Sequence, residues 1–312
     1  MFSDRLQKRI DATNSVLIAG FDPVLERLPK FIIENSRTNS SPLYHALTEF
    51  HTLAIRALSN IVPAIKPNLA FFEQYGLEGL RAFSTICKVA REHDLLVIGD
   101  AKRGDIGSTA QAYAAAFFGT TQAFGKTISD FEVDALTINP FLGFDTLETF
   151  IEQAEKANKG LFILVRTSNA GASDLQDATN LDGSTVSETL AEWINNRGSS
   201  LSGKCGLSGL GAVVGATHPE QARALRDKMP GQFFLIPGFG AQGGSADDAI
   251  AGFTADGRGG VINASRALFT GFSDSISTSE SLITEIHRRA SEFNSRINDS
   301  LKAASGRGVK DS

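Results

Sequence analysis

A cluster of opposite charges follows an apolar run in the stretch "VIGDAKRGDIGST", residues 97–109. Within six positions it contains Asp100, Lys102, Arg103 and Asp105. Successive side chains of a strand point to opposite faces, so we expect Asp100 and Lys102 to share one pocket, with Arg103 on the other face. A lysine held beside carboxylates stays protonated and can donate a proton, while a carboxylate in place repels an anionic substrate group. The pattern predicts a site that creates a carbanion and then protonates it.

Charged residues also end two other predicted strands. Lys66 lies in "AIKPN" and Asp22 lies in "GFDP". An isolated Asp-x-Lys pair is more often a salt bridge that closes a strand end. The recurrence of charges of both signs favours a shared pocket instead.

The residues after this strand are expected to point elsewhere. Asp105 follows Gly104 beyond the predicted strand, and we expect its carboxylate to face another direction, toward a neighbouring subunit. Ser108 and Gln111 fit a capping box, which would begin a helix and leave Thr109 in its first turn.

Eight apolar runs must position these residues. Apolar residues are nearly continuous in each run and do not alternate with polar ones, which is typical of parallel strands covered on both faces. Most runs are separated by segments whose apolar residues have the spacing of a helix. The α/β pattern favours a single closed (β/α)8 TIM barrel over an open doubly wound sheet, with chemistry at the carboxyl ends of the strands. We expect one domain over 1–312, with an N-terminal helix at about 3–12 and a frayed tail at about 305–312. The runs are 16–23, 64–68, 95–102, 135–141, 160–168, 211–217, 233–240 and 259–266.

The last two runs predict a phosphate site. "PGFGAQGG" closes the seventh run and "NASR" closes the eighth, and barrels often hold phosphate between these two loops. Gln242 and Arg266 are the candidates. Gly238, Gly240 and Gly243 also fit the dinucleotide-binding motif G-x-G-x-x-G. This motif is weak evidence here, because it lies at the seventh strand and no acidic residue follows the next strand to hold a ribose.

Composition excludes several classes of partner. The formal net charge of -5 gives no general attraction for nucleic acid or an anionic membrane, and no apolar run approaches a membrane-spanning length. Cys87 and Cys205, far apart, suit a reducing cytoplasm. The five histidines fit no metal-ligand spacing and are expected on helix surfaces or caps, so we expect no metal site.

"DAKRGDIGST", preceded by "GFDP" and "AIKPN" and followed by "PGFGAQGG" and "NASRAL", resembles the orotidine 5'-phosphate decarboxylase family in its longer bacterial-type branch. The resemblance implies a (β/α)8 barrel and a cytoplasmic homodimer without metal or cofactor. The implied activity is that of a carbon-carbon lyase, which converts orotidine 5'-monophosphate to UMP and carbon dioxide in the last step of de novo pyrimidine nucleotide synthesis.

The resemblance also implies roles for the charged residues. Lys66, Asp100 and Lys102 would form a network with the partner subunit's Asp105. Lys102 would protonate C6 of the pyrimidine as carbon dioxide leaves, and Asp100 would lie against the departing carboxylate.

The substrate contacts follow from the same resemblance. Asp22 would bind the ribose hydroxyls together with the partner subunit's Thr109. Ser168 in "VRTSNAG" would hydrogen-bond the pyrimidine ring, and the adjacent Thr167 is the alternative. The phosphate would be bound by residues after the seventh and eighth strands, Gln242, Gly243 and Arg266.

Two other functions fit parts of the pattern. A metal-assisted β-keto acid decarboxylase acting on sugar phosphates also uses Asp-x-Lys-x-x-Asp on this barrel, but an acidic metal ligand is then expected where this chain has Lys66. A nucleotide-binding protein without catalysis would keep the glycine-rich loop and lose a charge of the network, whereas all four positions are intact here.

Overall fold

The eight apolar runs form eight parallel strands that close into a barrel, in agreement with the predicted (β/α)8 fold. We describe the chain from a computed structural model over residues 1–238 and 245–307, with side chains described through 304. The first strand pairs with both the second and the eighth, which closes the ring. The strands are Leu17–Phe21, Ala64–Pro67, Leu96–Arg103, Ala135–Ile138, Gly160–Arg166, Ser208–Val214, Gln232–Ile236 and Gly260–Ala264.

Helices connect the strands and cover the barrel. The N-terminal helix is Phe2–Thr13, and the last helix, Ser279–Arg307, continues into the predicted tail, whose remainder lies outside the described residues. The assignment of 1–312 to one domain stays a prediction. The other α-helices are Lys30–Ser36, Pro42–Leu58, Leu69–Glu73, Gly76–Glu92, Gly107–Phe118, Phe144–Ala157, Ser173–Gln176, Val186–Arg197, Pro219–Lys228, Ala246–Ile250 and Arg266–Phe269. Short 3-10 helices are Leu25–Arg27, Ala170–Ala172 and Gly198–Leu201.

A two-stranded antiparallel hairpin interrupts the regular alternation after the third strand. Its strands are Thr121–Ala123 and Lys126–Ile128, and the sequence analysis did not predict them. Phe124 and Gly125 at the turn both have positive φ, 48° and 74°, which matches the right-handed twist of a tight hairpin.

The amino ends of the strands are sealed by the N-terminal helix. The ring of Phe2 is buried and packs edge-on against Phe162 with ring centroids 6.2 Å apart. It also lies directly over Gly160, where an added Cβ would be 2.2 Å from the ring. Arg5 pairs with the buried Asp134, whose other oxygen accepts the N–H of Val97 at 2.9 Å. The opposite, carboxyl end is therefore the end available for a site.

Over the part of the chain that the structure describes, no helix is both long and apolar enough to cross a membrane.

Candidate active site

A buried carboxylate lies at the centre of the predicted charged cluster. Asp100, on the third strand, accepts a hydrogen bond from Lys66 Nζ on one oxygen and from Lys102 Nζ on the other. The Lys66 side chain is 7% exposed, whereas that of Lys102 is 49% exposed. Burial by itself would raise the pKa of Asp100, but the charges and hydrogen bonds of the two ammonium groups outweigh burial and hold that pKa well below its ordinary value. The carboxylate is therefore ionised and the cluster carries a net positive charge.

The strand does not bring Asp100 and Lys102 together by simple alternation. Lys102 has φ 49°, in the left-handed region, and the register with the fourth strand shifts between Gly99 and Arg103. This irregularity turns the Lys102 side chain back onto Asp100. Arg103 points away, as expected, and its guanidinium donates to Glu73 Oε1 at 2.7 Å. Asp100 and Lys102 are thus brought together as expected, but through a bulge that strict alternation does not predict.

Thr137 is a site residue that the sequence analysis missed. Its Oγ1 donates to Asp100 Oδ1 at 3.1 Å and accepts the backbone N–H of Lys102 at 3.0 Å. The available signal was a polar residue inside the apolar run of "ALTINPF". A fully buried hydroxyl in a parallel strand needs a polar partner, and the end of the neighbouring strand supplies it.

The predicted capping box is wrong. The helix begins at Gly107 with Ile106 as its N-cap, so Ser108 and Gln111 lie inside the first turns. Asp105 supplies the local acceptor instead, since its Oδ1 accepts the N–H of Ile106 at 2.8 Å. The positive φ of Gly107, 49°, then turns the chain into the helix two residues earlier than a Ser108 cap allows.

Asp105 and Thr109 do not reach the charged network of their own chain. Asp105 is half-buried and Thr109 is exposed, and within the described residues of one chain neither contacts Asp100 or Asp22. Between them lies Ile106, a large apolar side chain that is 62% exposed.

Asp22 and Arg266 line one cavity of about 340 Å³ at the carboxyl end of the barrel. The Oδ1 atom of Asp22 is buried and has no hydrogen-bond partner among the described residues. Two residues before it, Gly20 is the register partner of Lys66, so the cavity and the charged network rise from adjacent strands. Other polar lining residues are Arg27, His51, Ser265 and Thr270.

His51 departs from the expectation that histidines lie on helix surfaces or caps. It is 2% exposed, and its Nδ1 donates to the carbonyl of Leu47 at 2.6 Å. Burial lowers the pKa of His51 to about 4, against the opposing effect of that hydrogen bond. The imidazole in this cavity is therefore neutral at pH 7.

The structure distinguishes Ser168 from Thr167. The Thr167 hydroxyl donates to Asn169 Oδ1 at 2.6 Å and accepts from Gln176 Nε2 at 2.9 Å. Ser168 makes no side-chain hydrogen bond to the described residues, and Gly215 lies against it so closely that an added Cβ would be 2.9 Å from Ser168 Cβ. Of the two hydroxyls, that of Thr167 is thus engaged within the chain, and Ser168 as the pyrimidine contact stays a prediction.

Two predicted phosphate ligands, Gln242 and Gly243, lie outside the described residues. Within residues 1–238 and 245–307, no group of three or more His, Cys, Asp or Glu side chains is arranged to hold a metal ion.

Comparison with known proteins decides the family. The model of the orotidine 5'-phosphate decarboxylase / HUMPS family matches residues 44–271, more than half of the chain. The chain belongs to this family. It is therefore an enzyme of the carbon-carbon lyase class, as the resemblance implied.

Individual relatives agree over most of their length. Orotidine 5'-phosphate decarboxylase of Rhodopirellula baltica is 43% identical over 266 residues, which cover 85% of this chain and 87% of the relative. The enzyme of the same name from Caldicellulosiruptor saccharolyticus is 40% identical over 269 residues, covering 85% and 88%. Among solved structures, OMP decarboxylase of Leishmania donovani aligns with a TM-score of 0.72 at 30% identity, covering 96% of this chain and 98% of that one.

The network predicts a large loss of stability when one ammonium group is removed. In Lys66→Met, the buried Asp100 carboxylate keeps Lys102 as its one ammonium partner in the described network, and we expect the free energy of unfolding to fall by about 3 kcal/mol in urea denaturation. Lys88→Met is the matched control, because the Lys88 to Asp130 ion pair is exposed and its loss should cost under about 1 kcal/mol. Equal losses in the two variants would contradict the described network.

The free energy of unfolding should also depend on pH through Asp100. Because the folded pKa of Asp100 is lowered, the stability due to its ionisation is present above the unfolded pKa, near 3.9, and is lost as the pH falls through the folded pKa. Wild-type protein should therefore lose more stability between neutral pH and the acid range than Lys66→Met does.

Proposed function

We propose that this chain converts orotidine 5'-monophosphate to UMP and carbon dioxide, the last step of de novo pyrimidine nucleotide synthesis. The observation that carries the proposal is the ionised Asp100 carboxylate, held between two ammonium groups at the carboxyl end of a barrel of this family. The named activity of relatives at about 40% identity supports the same reaction.

The difference in exposure between the two lysines supports Lys102 as the proton donor. When the bond from C6 to the substrate carboxylate breaks, its electron pair stays on C6 and carbon dioxide leaves. Lys102, whose side chain is half-exposed, gives its proton to C6, and it regains a proton from water before the next cycle. Lys66 is buried behind Asp100, and its fixed charge keeps the carboxylate ionised.

Catalysis in this scheme is mainly electrostatic. The two ammonium groups are in place before the reaction, so they stabilise the carbanion without reorganisation in the transition state. Asp100 lies against the leaving carboxylate and also fixes the position of Lys102. Phosphate and ribose contacts remote from C6 supply binding energy that holds the reacting atoms in this field.

Substrate contacts are proposed around the same opening. Asp22, with its unpartnered oxygen, binds the ribose hydroxyls, and the Ser168 hydroxyl binds the pyrimidine. Arg266, which lines the cavity with Asp22, binds the phosphate. Gln242 and Gly243, which lie outside the described residues, bind the same phosphate.

We further propose a homodimer in which the partner subunit's Asp105 and Thr109 complete the site. These two residues fail to reach the network of their own chain, and the exposed Ile106 between them provides apolar area for a contact between copies. The cytoplasmic location expected from the sequence stays a prediction.

Decarboxylation itself is tested by following the absorbance of orotidine 5'-monophosphate with purified protein and a strong metal chelator. We expect turnover that the chelator leaves unchanged. Activity that disappears with the chelator would favour the metal-assisted sugar-phosphate alternative, whereas binding of the nucleotide without turnover would favour the non-catalytic alternative.

Removal of the proton donor should be far more damaging than removal of an unrelated lysine. Lys102→Ala should lower kcat by about a thousandfold, in the range found for general acids, while Lys88→Ala leaves kcat unchanged. Equal activity of Lys102→Ala and wild type would overturn the assigned donor.

The shared site is tested by mixing two inactive variants, Lys102→Ala and Asp105→Ala. In each heterodimer one site has both an intact Lys102 and the partner subunit's intact Asp105. After random reassembly of equal amounts, about a quarter of wild-type activity should return, because half of the dimers are mixed and each has one competent site of two. No recovery would contradict the shared site.

A further inference from the structure

We propose that Thr137 is a positioning residue for the decarboxylation, acting through both Asp100 and Lys102. The inference rests on the proposed function and extends it to a residue outside the charged network. Its hydroxyl links the carboxylate that faces the leaving group to the backbone of the residue that donates the proton. It therefore fixes the spacing between the group that faces the leaving carboxylate and the group that protonates C6.

The direction of both hydrogen bonds is determined by chemistry. The backbone N–H of Lys102 can only donate, so the Thr137 oxygen accepts it at 3.0 Å. A hydroxyl has one proton, which is then directed to Asp100 Oδ1 at 3.1 Å. Thr137 is 1% exposed, so no water competes for either bond. Two consecutive hydrogen bonds thus join the Lys102 N–H to the Thr137 hydroxyl and that hydroxyl to the Asp100 carboxylate.

The backbone around Lys102 requires such a support. Gly99 pairs with Leu136 and Arg103 pairs with Ile138, so a longer segment of the third strand faces a shorter one of the fourth. Inside this bulge Lys102 adopts φ 49°, a conformation that is costly for a residue with a side chain and persists only where surrounding contacts hold it. The hydroxyl of Thr137 accepts the Lys102 N–H inside this irregular stretch of the ladder.

Loss of this hydroxyl should affect turnover more than substrate affinity. Without it, Asp100 Oδ1 keeps only the flexible Lys102 ammonium as a hydrogen-bond donor, and the Lys102 backbone can relax toward negative φ. A displacement of about 1 Å of a reacting group can lower a rate by a hundredfold. The proposed phosphate contact at Arg266 and ribose contact at Asp22 follow the eighth and the first strand, respectively, and remain in place.

The test compares two variants at Thr137 with a matched control. Thr137→Val keeps the shape and removes the hydroxyl, and Thr137→Ser keeps the hydroxyl. Ser208→Ala is the control, because Ser208 is equally buried at the opposite end of the barrel and also makes two bonds, donating to Gly198 O at 2.6 Å and accepting from Leu210 N–H at 3.0 Å.

We expect Thr137→Val to lower kcat by roughly 10- to 100-fold with KM within about twofold of wild type. Thr137→Ser should recover most of kcat, and Ser208→Ala should lower the melting temperature without lowering kcat. The inference is overturned if Thr137→Val retains wild-type kcat, or if Thr137→Ser is as slow as Thr137→Val. Should the valine variant fail to fold, Thr137→Ala removes the same hydroxyl and is judged by the same criteria.

Crystal structures of wild type and Thr137→Val separate this inference from the proposed function. An inactive wild type would refute the decarboxylation, and the structures would still decide the positioning role. A Lys102 φ that becomes negative, or an Asp100 carboxylate that rotates away from Lys102 Nζ, supports that role. Unchanged positions of both residues in the valine variant would refute it.

Discussion

The ionised carboxylate of Asp100 is the constraint on which the described site depends. An isolated carboxylate in a protein interior costs several kcal/mol even after relaxation, so it must be surrounded by charged or polar donors with good geometry. Lys66, Lys102 and Thr137 provide these donors from the second, third and fourth strands. A closed parallel barrel is suited to this task, because adjacent strands deliver side chains to one level of its interior.

The partners of a buried charged side chain differ between the two ends of the barrel. Near the amino ends, the Arg226 guanidinium donates to four backbone carbonyls and lies over the ring of Phe234, 3.7 Å from its centroid. Burial lowers the pKa of Arg226 to about 10, and no transferable proton is presented to solvent. At the carboxyl end, Asp100 is satisfied instead by ammonium groups, one of which remains half-exposed. The first arrangement encloses the charge within the fold, and the second leaves one charged group, that of Lys102, half-exposed.

The sequence predicted the fold well because its signals are local. Each strand of a barrel is covered on both faces, so it appears as a short apolar run, and the polar residues at the ends of those runs mark one rim. The pairing of Asp100 with Lys66 and Lys102 followed from this placement. The family resemblance added the roles of these residues, which the pattern alone left open.

The features that were missed depend on contacts between segments. The bulge at Lys102 arises from the register of the third strand against the fourth, and the role of Thr137 follows from that register. The cap at Ile106 depends on the conformation of Gly107, and the burial of His51 depends on the packing of its helix against the barrel. Likewise, nothing in one chain defines what Asp105 faces in an assembly.

The most direct test of the account is a pH titration of the Asp100 carboxyl carbon by NMR in protein labelled with carbon-13 at aspartate, with Asp100→Asn to assign the signal. The account predicts a carboxyl that remains ionised at pH values well below the ordinary aspartate pKa of about 3.9, because two ammonium groups surround it. A signal that titrates at or above that value would show that burial outweighs the lysines, and it would contradict the charged network at the centre of the proposed mechanism.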